Sequence, residues 1–116
     1  MELLINGKKV QLHFGVRFIR ELDKVAGISA NVKGQRVGLG YGMIKSIPAL
    51  QAYDTAVLST VIYAAAYEVK PRPSLDDIDD YLDSCTIKQL EDLFSRINKA
   101  ISESNAVQVS VKNMKA

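Results

Sequence analysis

Three groups of residues in this 116-residue chain have types and spacings that could do chemistry. The first is the stretch VGLGYGM, residues 37 to 43, where Gly38, Gly40 and Gly42 stand at alternate positions and Gly34 lies just ahead. Glycine-rich loops can turn successive backbone N–H groups onto a phosphate. A Walker-type loop requires GxxxxGK[ST], but here Lys45 and Ser46 come three residues after Gly42. A dinucleotide fingerprint requires GxGxxG between a strand and a helix, whereas this spacing is GxGxG. The stretch therefore reads as a connection, mobile or tightly turned, with Leu39, Tyr41 and Met43 exposed or lightly buried. The alternative is a loop that uses those apolar side chains, with Ile44, to touch a partner.

The second group is the acid cluster Asp76, Asp77, Asp79, Asp80 and Asp83. A calcium loop starting at Asp77 would need glycine at its sixth place and glutamate at its twelfth, and Leu82 and Lys88 stand there. The acids read as the wet face of a short helix, with Asp76 and Asp77 favoured by its N-terminus. An acidic patch for a basic partner is the other reading. The third group is the solitary pair His13 and Cys85. They could form a Cys–His dyad only with each other, and nothing near Cys85 in the sequence would activate its thiol. One Cys and one His make no zinc site without several carboxylates. His13 reads as a strand-face residue and Cys85 as a small residue opening the last helix. No catalytic, metal or cofactor-binding set emerges, which leaves binding as the role.

The elements that would position these residues follow from local patterning. ELLINGKKVQLHF predicts a β-hairpin, because Asn6 and Gly7 tolerate the positive φ of a type I′ turn and Val10, Leu12 and Phe14 alternate with polar residues. Val16, Ile19, Leu22 and Val25, widened by Phe18, predict a helix over 15–25 that Gly27 would end. Residues 29–42 show no period and read as loop. Residues 43–53 allow a short helix that Pro48 either starts or breaks. Asp54 is the predicted N-cap of a helix running to about Val69, with Val57, Leu58, Val61, Ile62 and Ala65 on one face.

Ser74 with Asp77, and Thr86 with Gln89, form two predicted capping boxes. The first opens a short helix with Leu75, Ile78 and Leu82 on one side. The second opens a helix whose seam is Ile87, Leu90, Phe94, Ile97 and Ile101. In the tail, Val107, Val109 and Val111 alternate with Gln108, Ser110 and Lys112, which predicts a strand. Such a strand would add to the hairpin, add to another molecule's sheet edge, or stay loose until a partner arrives. The expected fold is α+β and mainly α-helical: an N-terminal hairpin over 2–14, four or five helices within 15–103, and a strand-like tail. Residues 1–104 would form one domain, and 105–116 a flexible or strand-adding tail.

Composition supports a folded domain: 47% apolar and 24% charged residues are ordinary globular values. The run 46–66 is interrupted by Pro48, Gln51, Asp54, Ser59 and Thr60, so a membrane span is not expected. The first ten residues reverse the order of a secretory signal, and the single cysteine agrees with a reducing compartment. A cytoplasmic protein is expected. The net charge of +2 conceals a division. Residues 1–50 carry eight Lys or Arg against three acids, a net of +5, and residues 51–103 carry five against ten, a net of −5. Polarisation of this kind suits head-to-tail contact between copies, contact with a charged partner, or two halves facing each other in one fold. The dispersed cations speak against nucleic-acid binding.

The order of several segments resembles the phage tail assembly chaperone family of siphophages and prophages of Gram-positive bacteria. They are INGKKVQLHFGVRFIRELDK, GLGYGM followed by IPAL, RPSLDDIDDYLDS, and LFSRINKAISESNAVQVSVKN, together spanning nearly the whole chain. The resemblance implies a protein that is not an enzyme. It would bind the tape measure protein, a long helical and apolar chain, keep it soluble, and be displaced as the major tail protein polymerises around it. It would act in the host cytoplasm, be absent from mature virions, and correspond to the short form of a frameshifted pair. The resemblance carries over no residue-level site; the patterning of the glycine-rich stretch and of the tail gives Leu39, Tyr41, Met43, Ile44, Val107, Val109 and Val111 as the expected partner-binding residues, with self-association alongside. A structural tail or head-tail connector subunit is the alternative within binding proteins. A small DNA-binding regulator using Arg17, Arg20 and Lys24 is the alternative from another class.

Overall fold

The computed structural model describes residues 1–25, 31–32, 35–36 and 41–112. Strands β1 (Glu2–Ile5) and β2 (Lys8–Gln11) pair antiparallel in the register Ile5↔Lys8 to Glu2↔Gln11. That register leaves Asn6 and Gly7 as the two turn residues, with φ of 53° and 76°, the type I′ geometry their side chains permit. Leu3, Ile5, Val10 and Leu12 point into the core, so one face of the hairpin is covered. Phe14, just beyond, meets Phe18 edge to face at 5.0 Å.

The cover is α1 (Val16–Val25), which buries Phe18, Ile19 and Leu22. Gly27, the expected terminator, and Leu39 lie outside the described residues. Within the stretch expected to be loop, β3 (Asn31–Val32) and β4 (Gln35–Arg36) pair antiparallel, and α2 (Tyr41–Gln51) has already begun before Gly42. The reading of Met43 as exposed or lightly buried is corrected: its side chain is fully buried. Gly42 explains why. Its N–H donates to Asp23 Oδ1 at 2.8 Å, and a Cβ there would stand 3.1 Å from the Leu22 backbone, so the missing side chain lets α2 lie directly on α1. Pro48 neither starts nor breaks α2 but sits inside it.

Helix α3 (Thr55–Ala65) occupies the centre and packs on α1, α2 and α4 (Leu75–Asp83). Its N-cap is Asp54, whose carboxylate accepts from the Val57 N–H at 3.1 Å. It stops four residues short of the expected end because its last carbonyls are taken by other donors. The Arg72 guanidinium donates to the Tyr63 carbonyl through Nε at 3.1 Å and Nη2 at 2.6 Å, and His13 N–H donates to the Ala65 carbonyl at 3.0 Å. Buried Ser59 donates its hydroxyl to Asp79 Oδ1 at 2.5 Å, so one acid of the cluster is an internal acceptor and not part of a wet face alone.

Both capping boxes form as expected, at Ser74–Asp77 and Thr86–Gln89. Helix α5 (Ile87–Glu103) buries Leu93, Phe94, Ile97 and Ile101, but the seam does not extend to its first residue, since Ile87 is 79% exposed. The expected strand-like tail is corrected: residues Asn105–Lys112 form helix α6. Ser104 caps it, its hydroxyl accepting from the Val107 N–H at 3.3 Å. Val107 and Val111, four apart, fall on one helical face and are buried, while Val109 is turned outward and 69% exposed. Six helices, one or two more than the four or five expected, and two antiparallel strand pairs therefore make a mainly helical α+β fold among the described residues.

Candidate interaction surface

Helices α2, α5 and α6 enclose a groove of ≈ 530 Å³. Ile44, Ile47 and Pro48 of α2, Ile101 of α5 and Val111 of α6 supply its apolar lining. Gln51, Asn98, Ser102 and Gln108 supply polar groups, and none of these lining side chains carries a charge. Pro48 has no N–H to offer the Ile44 carbonyl, so the helical hydrogen bond expected there is missing on the groove side of α2.

Tyr53, just past the end of α2, also lines the groove. Its backbone has φ of 60°, a conformation that a bulky residue adopts only when its surroundings hold it there. The residue is 60% exposed, and its ring meets Phe94 edge to face at 5.2 Å. The same ring lines a second depression of ≈ 250 Å³ with Thr55, Ile87, Leu90, Glu91 and Phe94.

On the opposite face of α6, a cleft of ≈ 460 Å³ lies against α1, lined by Val16, Ile19 and Arg20 and by Asn105, Ala106, Val109 and Ser110. Helix α6 is thus a wall shared by two apolar concavities, Gln108 and Val111 facing one and Ala106 and Val109 the other.

The residues expected to bind a partner are distributed among these features. Ile44 and Val111 line the α2/α5/α6 groove, and Val109 lines the α1/α6 cleft. Met43 and Val107 are fully buried and support the surface from beneath. Tyr41 is the first residue of α2. The sequence reasoning missed Ile47, Pro48, Tyr53 and the polar groove residues, since it assigned residues 43–53 only to an uncertain helix.

The groups with chemical potential stay apart. His13 Nε2 lies 3.1 Å from Glu68, and its ring is 5.9 Å from Tyr67. Cys85 donates its thiol to the Tyr81 carbonyl at 3.4 Å, and burial together with the neighbouring Cys85 pushes the Tyr81 hydroxyl above its usual pKa. Among the described residues no group of three or more His, Cys, Asp or Glu could hold a metal. Of the basic residues on α1, Arg17 lies over the Tyr67 ring at 4.8 Å and Lys24 pairs with Glu21 at 3.4 Å. That leaves Arg20 as the cation with an open apolar cleft beside it. Among the described residues no helix is long and apolar enough to cross a membrane.

The family model described as phage tail assembly chaperone protein, TAC, matches residues 2–115. The chain belongs to the phage tail assembly chaperone family. That match runs from β1 through α6, so hairpin, groove and α1/α6 cleft all lie within it. No curated protein and no solved structure matches the chain.

Proposed function

We propose that this tail assembly chaperone is non-catalytic and holds the tape measure protein in solution by seating its apolar helical stripes in the α2/α5/α6 groove. The observation that carries the reading is the lining of that groove: apolar Ile44, Ile47, Pro48, Ile101 and Val111 with Tyr53, four neutral polar side chains, and no charged one. A helix laid in a groove is held by side chains at i, i+3 or i+4, and i+7, and needs an apolar floor more than a charged clamp. A rim without charge imposes little sequence selection, which suits cargo whose apolar stripe repeats over a great length. Ile44 and Val111 form the contact, with Tyr53 closing over one end.

Each groove gives a modest contact, and many copies along one cargo chain raise the total without making any single copy hard to displace. This removability is what polymerisation of the major tail protein would exploit, in the host cytoplasm and without the chaperone entering the virion. A structural tail or connector subunit would instead be retained in purified particles.

The test is co-expression of a tape measure segment with the chaperone, reading the soluble fraction of the segment. Ile44→Asp, at a half-buried position, and Tyr53→Asn, which relaxes the positive φ while removing the ring, should each lower that fraction severalfold while leaving a cooperative thermal transition. An unchanged soluble fraction with both folded variants overturns the proposal.

A further inference from the structure

We infer that α6 is a displaceable wall of the groove, lifting from α1, α2 and α5 as a helix enters, so that the cargo takes the seat of Val107 and Val111. The inference rests on the cargo reading above and adds a step to it: Ile44 and Val111 receive the helix first, and α6 then gives way. What holds α6 down is slight. Of its described side chains, only those of Val107 and Val111 are buried. Val107 N–H donates to Ser104 Oγ at 3.3 Å, Gln108 N–H to the Ser104 carbonyl at 3.0 Å, and Gln108 Nε2–H to the Ile101 carbonyl at 3.3 Å, all at the end of α5. Among the described residues no hydrogen bond or ion pair ties α6 to α1 or α2.

The concavities of ≈ 530 and ≈ 460 Å³ on its two sides undercut α6, so its flanks forgo the contacts that hold a core helix. Eight residues are too few for a helix to stand by itself, and three of them are valines, stiff at χ1. Ser104 alone joins α6 to α5, its backbone extended at φ −81° and ψ 114°, and a residue of this kind can absorb a hinge rotation. A segment so held opens at a smaller free-energy cost than the core. The surface it vacates is already shaped for apolar side chains four apart, which is the spacing of Val107 and Val111 and of an apolar cargo stripe. A cargo helix with larger side chains there fills the seat and the space beside it. It therefore binds the open form more tightly than the closed one, the condition for a ligand to shift such an equilibrium. Val16, across α6, is already 65% exposed and changes little.

Hydrogen–deuterium exchange on the full chain, alone and with a helical tape measure segment, tests the inference. Without the segment, the amides of α6 should exchange at least about tenfold faster than those of α3. With it, α6 should lose protection while α2 and α5 gain it. Val107→Ala empties the seat and should bind the segment severalfold more tightly than wild type, with its thermal transition still cooperative. The exchange arm needs only the wild-type chain, so it stands whether or not the variant folds. Exchange of α6 as slow as that of α3, protection of α6 unchanged or raised while α2 and α5 gain, or weaker binding by the folded variant would each overturn the inference and leave the cargo reading standing. A segment that leaves α2 and α5 unchanged would overturn both.

Discussion

The Arg72 guanidinium donates Nη1–H to Glu21 Oε1 at 3.0 Å while its Nε and Nη2 donate to the Tyr63 carbonyl and its Cζ lies 3.9 Å from the centre of the Tyr63 ring. One side chain thus ties α1 to the end of α3 from the segment that follows. Both partners are mostly buried, the side chains being 24% and 17% exposed. Arg72→Ala would strand the Glu21 carboxylate and free a helix-end carbonyl, and is expected to cost about 2–3 kcal/mol by chemical denaturation. Arg72→Lys should recover only part of that loss, because an ammonium cannot serve Glu21 and Tyr63 with one planar fork.

The same contact sets a pH dependence. Burial opposes ionisation of Glu21, but Arg72 and Lys24 outweigh it and hold the carboxyl below its ordinary value of 4.5. A folded-state pKa that is depressed contributes stability above the unfolded value and loses it as pH falls through the folded value. The thermal midpoint should therefore fall as pH is lowered from about 5.5 toward about 3, and Glu21→Gln should show a shallower fall over that window. Equal slopes for the two proteins would mean that other carboxylates govern the acid limb.

Helix α6 makes a sharp comparison possible. Val107 is fully buried and Val109 is 69% exposed, although a strand would place both on one face. Val107→Ala should cost about 2 kcal/mol through lost burial and the space left behind, and Val109→Ala less than about 0.5 kcal/mol. Similar costs at both positions would favour the alternating pattern over the helix.

That comparison also marks where the sequence was legible. The hairpin turn at Asn6 and Gly7 and the boxes at Ser74–Asp77 and Thr86–Gln89 are settled by neighbours within four residues, so their residue types suffice. Val107, Val109 and Val111 are not settled that way. Their spacing satisfies a two-residue period, yet Val107 and Val111 also satisfy a helical four-residue step, and packing against α2 and α5 selects the latter. Ser104 was the local signal that favoured a helix, as a potential N-cap ahead of Asn105. The groove was not legible, because residues 44–53 and 98–111 meet only in the folded chain.

Gly42 answers the question raised by the glycine-rich stretch at the one glycine of it that is described. Alanine would gain about 1 kcal/mol in helix propensity, but its Cβ would stand 3.1 Å from Leu22 C and O and from Asp23 Oδ1. Backbone atoms of a packed helix yield little, so Gly42→Ala is expected to destabilise the fold by about 1–2 kcal/mol net. A stabilised variant would show that α1 and α2 can separate without loss.

The claim on which the functional account turns is that the α2/α5/α6 groove receives an apolar helix. Its most direct measurement is a methyl NMR titration of the chain with a helical tape measure segment, using Ile44, Ile47, Ile101 and Val111 as groove reporters and Val16 and Ile87 as reporters elsewhere. Shifts concentrated on the four groove residues are the predicted result. Binding that moves Val16 and Ile87 while leaving those four unchanged would contradict it.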